Sequence, residues 1–306
     1  MIHLKSYLKK TLRSIGFFLL QDTQSQIRTQ FSSIHKATQL SLILRYRHLI
    51  ASRQLDPSVM LPSLDEVELR CHSQNGEDGI LLYIFAIIGT TNKKVVEVCA
   101  GNGIECNAAN LIIHHGWYGL LIDGNEKLIN EAKKFYATCQ DTRGFPPFVK
   151  KAWITKDNIN QIIGEEYGFQ GEIDLFSLDM DGVDYWILQE LTVVSPRVIV
   201  LEYANIWHTE KAVTIPYEND FSYGKSGHNY DFCGASLSAF VQLLGKKGYR
   251  YVGSQSLGFN AFFIRKGIGE EYLPEVTPDA IFKTPKVQYC TKDRLVAVKH
   301  LPWVEL

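Results

Sequence analysis

Residues Lys94 to Gly103 read KVVEVCAGNG, a β-branched run that passes directly into a glycine turn. Val95, Val96 and Val98 suit a parallel strand covered on both faces, because such a strand has no solvent side to alternate with and branched side chains pack well on the pleat. Gly101 and Gly103 let the chain turn sharply at the carboxyl end of that strand, so a ligand can approach the backbone. Ala109, Leu111 and Ile112 within Glu105 to Trp117 have helical spacing, and the turn therefore feeds a helix whose amino end offers unpaired N–H groups. Strand, turn and helix together predict a nucleotide-type binding corner.

Outward from this corner, strands and helices alternate. Strands are predicted at Gly119 to Asp123, Phe148 to Ile154, Ile173 to Asp179 and Arg197 to Tyr203, with helices at Glu126 to Thr138, Asn158 to Tyr167 and Tyr185 to Leu191 between them. That alternation points to a mainly parallel sheet. A polar and aromatic insertion, Ala204 to Cys233, is too long to be a mere connector. A helix from Ser236 to Lys247 then precedes Tyr249 to Ser254 and Ala261 to Arg265, whose short Gly258-Phe259-Asn260 link suits an antiparallel hairpin. One more strand is predicted at Leu295 to Val298. Upstream, SQNGEDG (73–79) leads into an apolar helix, Ile80 to Ile88, with Asn75 and Asp78 spaced as a helix cap. A cap needs only one or two of these polar residues, which leaves Gln74, Glu77 and Asp78 as candidates to face a ligand. The expected fold is a three-layer α/β sandwich, Rossmann-like, with a seven-stranded, mostly parallel sheet ending in an antiparallel hairpin. That is the order of the class I methyltransferase sheet rather than of a six-parallel-strand dinucleotide fold.

The 306 residues divide, on this reading, into a basic helical arm (1–55), a catalytic domain (56–268) and an extension packed on it (269–306). Residues 1–54 carry nine Lys or Arg and one acid, Asp22, against a whole-chain formal charge of -1, so a basic arm precedes an acidic body. In the arm Leu4, Leu8, Leu12, Ile15 and Leu19 form a helical stripe with Lys5, Lys9, Lys10 and Arg13 largely off it. A stripe of this kind suits peripheral contact with an anionic membrane, packing on its own domain, or homo-oligomerisation. The charge pattern gives no reason to expect a nucleic-acid partner. Six scattered cysteines without a CxxC pair suggest neither zinc nor a disulfide framework and fit a reducing, cytoplasmic setting, with the arm placed to touch the inner membrane face. The longest apolar run, Ile80 to Ile88, is about half of a membrane span, and no secretory signal is expected, since the apolar patch Ile15 to Leu20 runs into QDTQSQ.

Chemistry-bearing residues gather at the predicted carboxyl ends of the strands. Glu97 to Gly103 resembles the ExGxGxG nucleotide-binding motif of S-adenosylmethionine (SAM) methyltransferases, with Cys99 where the first glycine usually sits. A dinucleotide GxGxxG would need glycine where Cys106 stands, which weakens an NAD reading without removing it. Asp123 ends the second strand about 20 residues past the turn, the offset at which an acid accepts ribose hydroxyls, although an Asp before Gly124 also suits a plain turn. Trp153 and Ile154 are placed to cover an adenine face or to pack in the core. The fourth strand delivers Asp179 and Asp181, with Asp184 in the next turn, and the fifth delivers Glu202. Carboxylates so close repel unless a cation neutralises them or one keeps its proton, and an all-oxygen set suits Mg²⁺ or Ca²⁺. The competing reading makes Asp179 a helix cap and Asp181-Gly182 a turn. His208, Tyr217, His228 and Tyr230 in the insertion are bases and stacking groups that a hydroxylated substrate would meet, and the two histidines compete with Asp181 for the part of general base.

Taken together, SQNGEDG (73–79), VEVCAGNGIECNAANL (96–111), GWYGLLIDGN (116–125), LSLDMDGVDYW (178–186), VIVLEYAN (198–205), GASLSAF (234–240) and GFNAFFIR (258–265) resemble the FkbM-related SAM-dependent methyltransferases, in particular a branch associated with surface-polysaccharide and glycan biosynthesis. The resemblance covers roughly residues 70–266. It implies SAM as cofactor and O-methylation of a sugar or other hydroxyl compound, with Gln74, Glu97, Gly101, Gly103 and Asp123 around SAM and Asp179, Asp181 and Glu202 near the transferred methyl group, in the manner of metal-dependent sugar O-methyltransferases. Two alternatives stay open: an NAD-dependent Rossmann-type sugar-modifying enzyme, and a catalytically inactive relative kept as an assembly partner.

Overall fold

The computed structural model describes residues 32–222 and 230–306. The chain divides into two units, Met1–Arg45 and Tyr46–Leu306. Residues 32–55 (α1) are helical; the apolar stripe from Leu4 to Leu19 lies outside the described residues. No helix among the described residues is long and apolar enough to cross a membrane.

The larger unit begins its core with α2 (Glu77–Ile88), almost wholly buried. Its cap is not the predicted Asn75–Asp78 pair. Gly76 takes the N-cap position with φ 105°, while Asp78 accepts from the backbone N–H groups of Cys71, His72 and Ser73 and its own N–H donates to Ser73 Oγ. The carboxylate thus serves the loop that precedes the helix. Then follow β1 (Lys94–Val98), α3 (Ala109–His115), β2 (Tyr118–Asp123), α4 (Glu126–Thr138), β3 (Phe148–Lys151), β4 (Gly171–Leu178), α5 (Asp184–Glu190), β5 (Val194–Glu202), a two-residue strand β6 (Val213–Thr214), α6 (Leu237–Lys246), β7 (Tyr249–Ser254) and β8 (Asn260–Arg265). The main sheet has seven strands in the order β3-β2-β1-β4-β5-β8-β7. Strands β1 to β5 run parallel, and β8 enters antiparallel between β5 and β7. This is the predicted Rossmann-like sheet, mostly parallel and ending in a hairpin, and the antiparallel β8 separates it from a six-parallel-strand arrangement.

Strand order reverses between β1 and β4, the place where such sheets open a crevice outside their carboxyl ends. Val98 lies opposite Ile122 on one side and Leu178 on the other, and Leu178 opposite Leu201. The residues that follow β1, β4 and β5 are therefore delivered side by side. Val96, Val98, Phe176, Leu178 and Leu201 are at or near full burial, as a strand with both faces covered requires.

Three elements differ from expectation. Strand β3 stops at Lys151, which pairs with Asp123 at the end of β2, so Ala152 to Ile154 has little ladder left to join. The helix expected at Asn158 to Tyr167 is wound as a π-turn over Gln161–Glu166, where a Cβ on Gly164 would lie 2.3 Å from Val193 Cγ2. The chain's end forms α7 (Asp279–Phe282), α8 (Pro285–Thr291) and α9 (Arg294–Val298), with β9 (Val304–Glu305) pairing with β6. Leu295 to Val298 is thus helical rather than a strand; Val298 is buried and Val296 exposed, a spacing that a helix satisfies on one side. Phe282, Val287 and Val298 join the main core, and buried Arg250 holds the segment before them by donating to the carbonyls of Arg265, Ile268 and Leu273.

Candidate functional site

The turn after β1 is built as its sequence suggests. Cys99, Gly101 and Gly103 all have positive φ, at 61°, 56° and 65°, so the cysteine adopts the backbone that a glycine would take there. Gly103 is closely invested: a Cβ would meet Leu121, Tyr136 and Ala132 at 3.0 to 3.3 Å. Asp123 crosses from β2 to hold this turn, its Oδ2 accepting from Gly101 N at 2.9 Å and its Oδ1 from Asn125 N at 2.7 Å. Each carboxylate oxygen has a second lone pair, so the group can still accept from a ligand. Trp153 lies against the turn that follows β2, with a Cβ on Gly124 3.0 Å from its ring; its Nε1 donates to Asn219 O, and half of the side chain is exposed.

Other residues proposed for this side have work inside the fold. Glu97 is buried and accepts from Asn107 N, Ala108 N and Ser177 Oγ, so it fastens the loop before α3. Glu77 is buried too, accepting from Asn75 N and from Asn260 Nδ2 of β8. Gln74 is exposed in the loop leading to α2.

Beside the turn, past β4 and β5, Asp179, Asp181 and Glu202 bring carboxylate oxygens within 4.8 Å of one another. Helix α5 has Val183 at its N-cap and no side-chain cap hydrogen bond, so Asp179 does not cap it. Asp184, at the first turn of α5, accepts from Met180 N at 2.7 Å and Gly182 N at 3.0 Å, wrapping the loop around its own carboxylate. Asp181 sits in that loop with φ 51°, a left-handed conformation that Asp tolerates better than most residues. Gly182 is pressed on Phe221, with 2.5 Å left for a Cβ. Burial pushes Asp179 up to about 7, against a hydrogen bond from Glu202, and the charges of Asp181 and Asp184 add to the rise. Burial and then the Asp179 charge hold Glu202 well above the usual carboxylate range. Burial likewise pushes Asp184 up to about 6. Such a set of hard oxygen donors, crowded and under-compensated, fits a divalent cation such as Mg²⁺.

Cys99 links the two halves. Its thiol is pushed up by burial and then by the charges of Asp184, Asp123, Asp179 and Asp181.

A cavity of about 180 Å³ opens on the far side, lined by Asp181, Glu202, Asn205, Tyr230, Asp231 and Arg294 among others. Asp123 is not part of its wall. Arg294 comes from α9 and donates Nε and Nη2 to Asp231 Oδ1. Asn205 opens a 3-10 turn (Asn205–Trp207) three residues past Glu202. Sequence spacing did not single out either Arg294 or Asn205. Of the two histidines, His208 is stacked on Phe282, and its Nε2 is 2.9 Å from Thr291 Oγ1, which ties the insertion to α7 and α8; His228 lies outside the described residues. Tyr217 donates to Asn219 Oδ1 and accepts from Lys156 N.

No family model matches the chain, and no curated protein sequence matches it. Among solved structures it is similar to a SAM-dependent methyltransferase from Aquifex aeolicus (14% identity, 58% of this chain and 85% of that one, TM-score 0.35). It is also similar to a S-adenosylmethionine-dependent methyltransferase from Clostridium acetobutylicum ATCC 824 (9%, 61% and 89%, 0.39). A third is the magnesium protoporphyrin IX methyltransferase from Synechocystis PCC 6803 with bound SAM (11%, 62% and 78%, 0.38).

Proposed function

We propose that this chain is a SAM-dependent O-methyltransferase acting on a hydroxyl of a sugar, a glycan or a related small molecule. The observation that carries the reading is the delivery to one sheet edge, past the neighbouring strands β1, β4 and β5, of a glycine turn tied to Asp123 and of the clustered Asp179, Asp181 and Glu202. Gly101, Gly103, Asp123 and Trp153 would hold SAM, with the Asp123 carboxylate accepting from ribose hydroxyls and the indole beside the adenine. Bound there, SAM supplies an electrophilic methyl group. An acceptor oxygen must lie in line with that methyl for transfer, and the cavity beside Asp181 is where the fold leaves room for it.

The hydroxyl proton has to leave as its oxygen gains a carbon. Asp181, at the cavity wall, is the proposed general base; burial raises the proton affinity of its carboxyl, against a hydrogen bond with Glu202 that lowers it. Asp179, Asp181 and Glu202 would also hold a divalent cation, which would lower the pKa of a bound hydroxyl.

Titration calorimetry with SAM and radiolabel transfer to a panel of glycan precursors test the reading. Asp123→Ala should weaken SAM binding by about tenfold or more, the scale of a lost hydrogen-bonding carboxylate. Asp181→Asn should bind SAM normally and lose transfer. A full chain that fails to bind SAM, or an Asp181→Asn variant that still transfers at the wild-type rate, would remove the enzyme or the base respectively.

A further inference from the structure

Part of the insertion between β5 and α6, residues 215–221, forms a strap that bears on residues following β3 and β4. Ile215 O accepts from Trp186 Nε1 of α5 at 2.9 Å, and Asn219 O accepts from Trp153 Nε1 at 2.7 Å. Between them the Tyr217 hydroxyl accepts from Lys156 N at 3.1 Å and donates to Asn219 Oδ1 at 2.7 Å. At Phe221 the strap returns to the loop after β4, where its ring lies against Gly182: a Cβ there would be 2.5 Å from Cδ1 and 2.8 Å from Cε1. Gly182 does not have a positive φ, so the ring, and not the backbone angle, is what demands a glycine.

Asp181, next to it, is the residue in need of support. It holds φ 51°, a conformation that a residue with a Cβ keeps only where its surroundings impose it. It is also exposed, so its own packing does little to impose anything. The loop is held from outside instead. Asp184 accepts from Met180 N and Gly182 N, and Gly182 O accepts from Gly234 N at 2.9 Å. Those bonds fix peptide groups, while the Phe221 ring fills the space into which the Gly182 α-carbon would otherwise move. Resting on the methyltransferase reading above, we propose that Phe221 is a positioning residue for the base: by denying Gly182 that space it keeps Asp181 at its left-handed angle, with its carboxylate beside those of Asp179 and Glu202. The strap that carries Phe221 is also bonded to Trp153, so one segment sets both the base and the indole assigned to the adenine side. Cofactor and base are then aligned by a common element, as an in-line transfer requires.

The test uses the full chain, with amide exchange at Gly182 followed by NMR, SAM affinity by calorimetry and methyl transfer by radiolabel. In Phe221→Ala the Gly182 amide should exchange about tenfold faster. Its kcat should fall by roughly tenfold to a hundredfold, the scale of a reacting group misplaced by about 1 Å, with SAM affinity unchanged. Phe221→Leu, which keeps apolar bulk, should recover part of kcat. Gly182→Ala should lower the melting temperature, and Gly182→Ala combined with Phe221→Ala should lose less than the sum of the two single changes, since both act on one contact. Unchanged exchange at Gly182, a kcat equal to wild type in Phe221→Ala, a weakened SAM affinity that accounts for the lost rate, or additive losses in the double variant would each overturn the assignment. A full chain that binds no SAM or transfers no methyl group would instead sink the methyltransferase reading, and the exchange and double-variant results would still decide whether Phe221 holds the Asp181 loop.

Discussion

Asp179→Asn should make the protein more stable at pH 8 and leave it little changed at pH 5, provided divalent cations are absent. Asp179 is raised to about 7 in the fold, chiefly by burial, whereas in an unfolded chain it ionises near the ordinary aspartate value of 3.8. The folded state therefore holds a proton that the unfolded state releases, and stability falls as pH rises through this window. Linkage over that interval gives a loss of about 2–3 kcal/mol between pH 5 and pH 8 for this group. For a unit of this size that is a drop of roughly 5–10 °C in melting temperature. Asparagine cannot ionise and so removes the slope, while its carbonyl still accepts from Glu202. The assay is a set of melts in EDTA from pH 5 to pH 8, wild type beside Asp179→Asn, repeated with millimolar Mg²⁺. The cation should raise the wild-type melting temperature at pH 8, by an amount that grows with concentration over the dissociation constant, and raise the variant's much less. Parallel pH profiles for the two proteins in EDTA would show that the carboxylates are not crowded as described.

Two further substitutions probe the frame around the site. Gly103→Ala places a Cβ at φ 65° against Leu121, Tyr136 and Ala132; it should cost about 1–2 kcal/mol from the backbone alone, read as a lower melting temperature, and weaken SAM binding in calorimetry. Asp174→Ala strikes the opposite end of the sheet, where buried Asp174 pairs with buried Arg197 at 2.8 Å and accepts from Thr91 N, Asn92 N and Lys93 N. Stranding Arg197 should cost about 3–5 kcal/mol in denaturant titrations, with SAM affinity per folded molecule unchanged.

Periodicity carried most of the fold. The run Val95, Val96, Val98 and the alternation after it determine strand identity, because a doubly covered parallel strand needs apolar residues at every position; β1, β2, β4, β5, β7 and β8 all fall where the pattern puts them to within a few residues. Pattern failed where pairing decides. Phe148 to Ile154 looks like one strand, yet only four of those residues find a partner once β2 ends at Asp123. RLVAV at 294–298 is rich in strand-formers, but its burial on a packed surface selects a helix. At the site, spacing found the acids that end strands, since a residue following β4 or β5 has its position fixed by the sheet. It could not find Asn205 or Arg294, whose relevance depends on which way a loop and a distant helix face. It put forward His208 by residue type alone, and the imidazole proved to be committed to Phe282 and Thr291.

The two ends of the sheet show opposite use of the same chemistry, and that contrast bears on function. At the amino end, one carboxylate, Asp174, receives three backbone N–H groups, a hydroxyl and a guanidinium, which holds its carboxyl below the usual range in spite of burial. At the carboxyl end three acids share a few ångströms, no ion pair among the described residues reaches them, and Asp179 and Glu202 are driven upward instead. The fold evidently can satisfy a buried carboxylate where it needs one for stability. A second set left under-compensated, next to a cavity, lowers stability and adds nothing to packing. Groups of that kind persist where a ligand supplies the missing partners, and on the function proposed above that partner is a cation or a proton for the acids. Filling the site should therefore stabilise the chain more than the contacts of any one ligand suggest, because each ligand also relieves groups that the fold leaves unsatisfied.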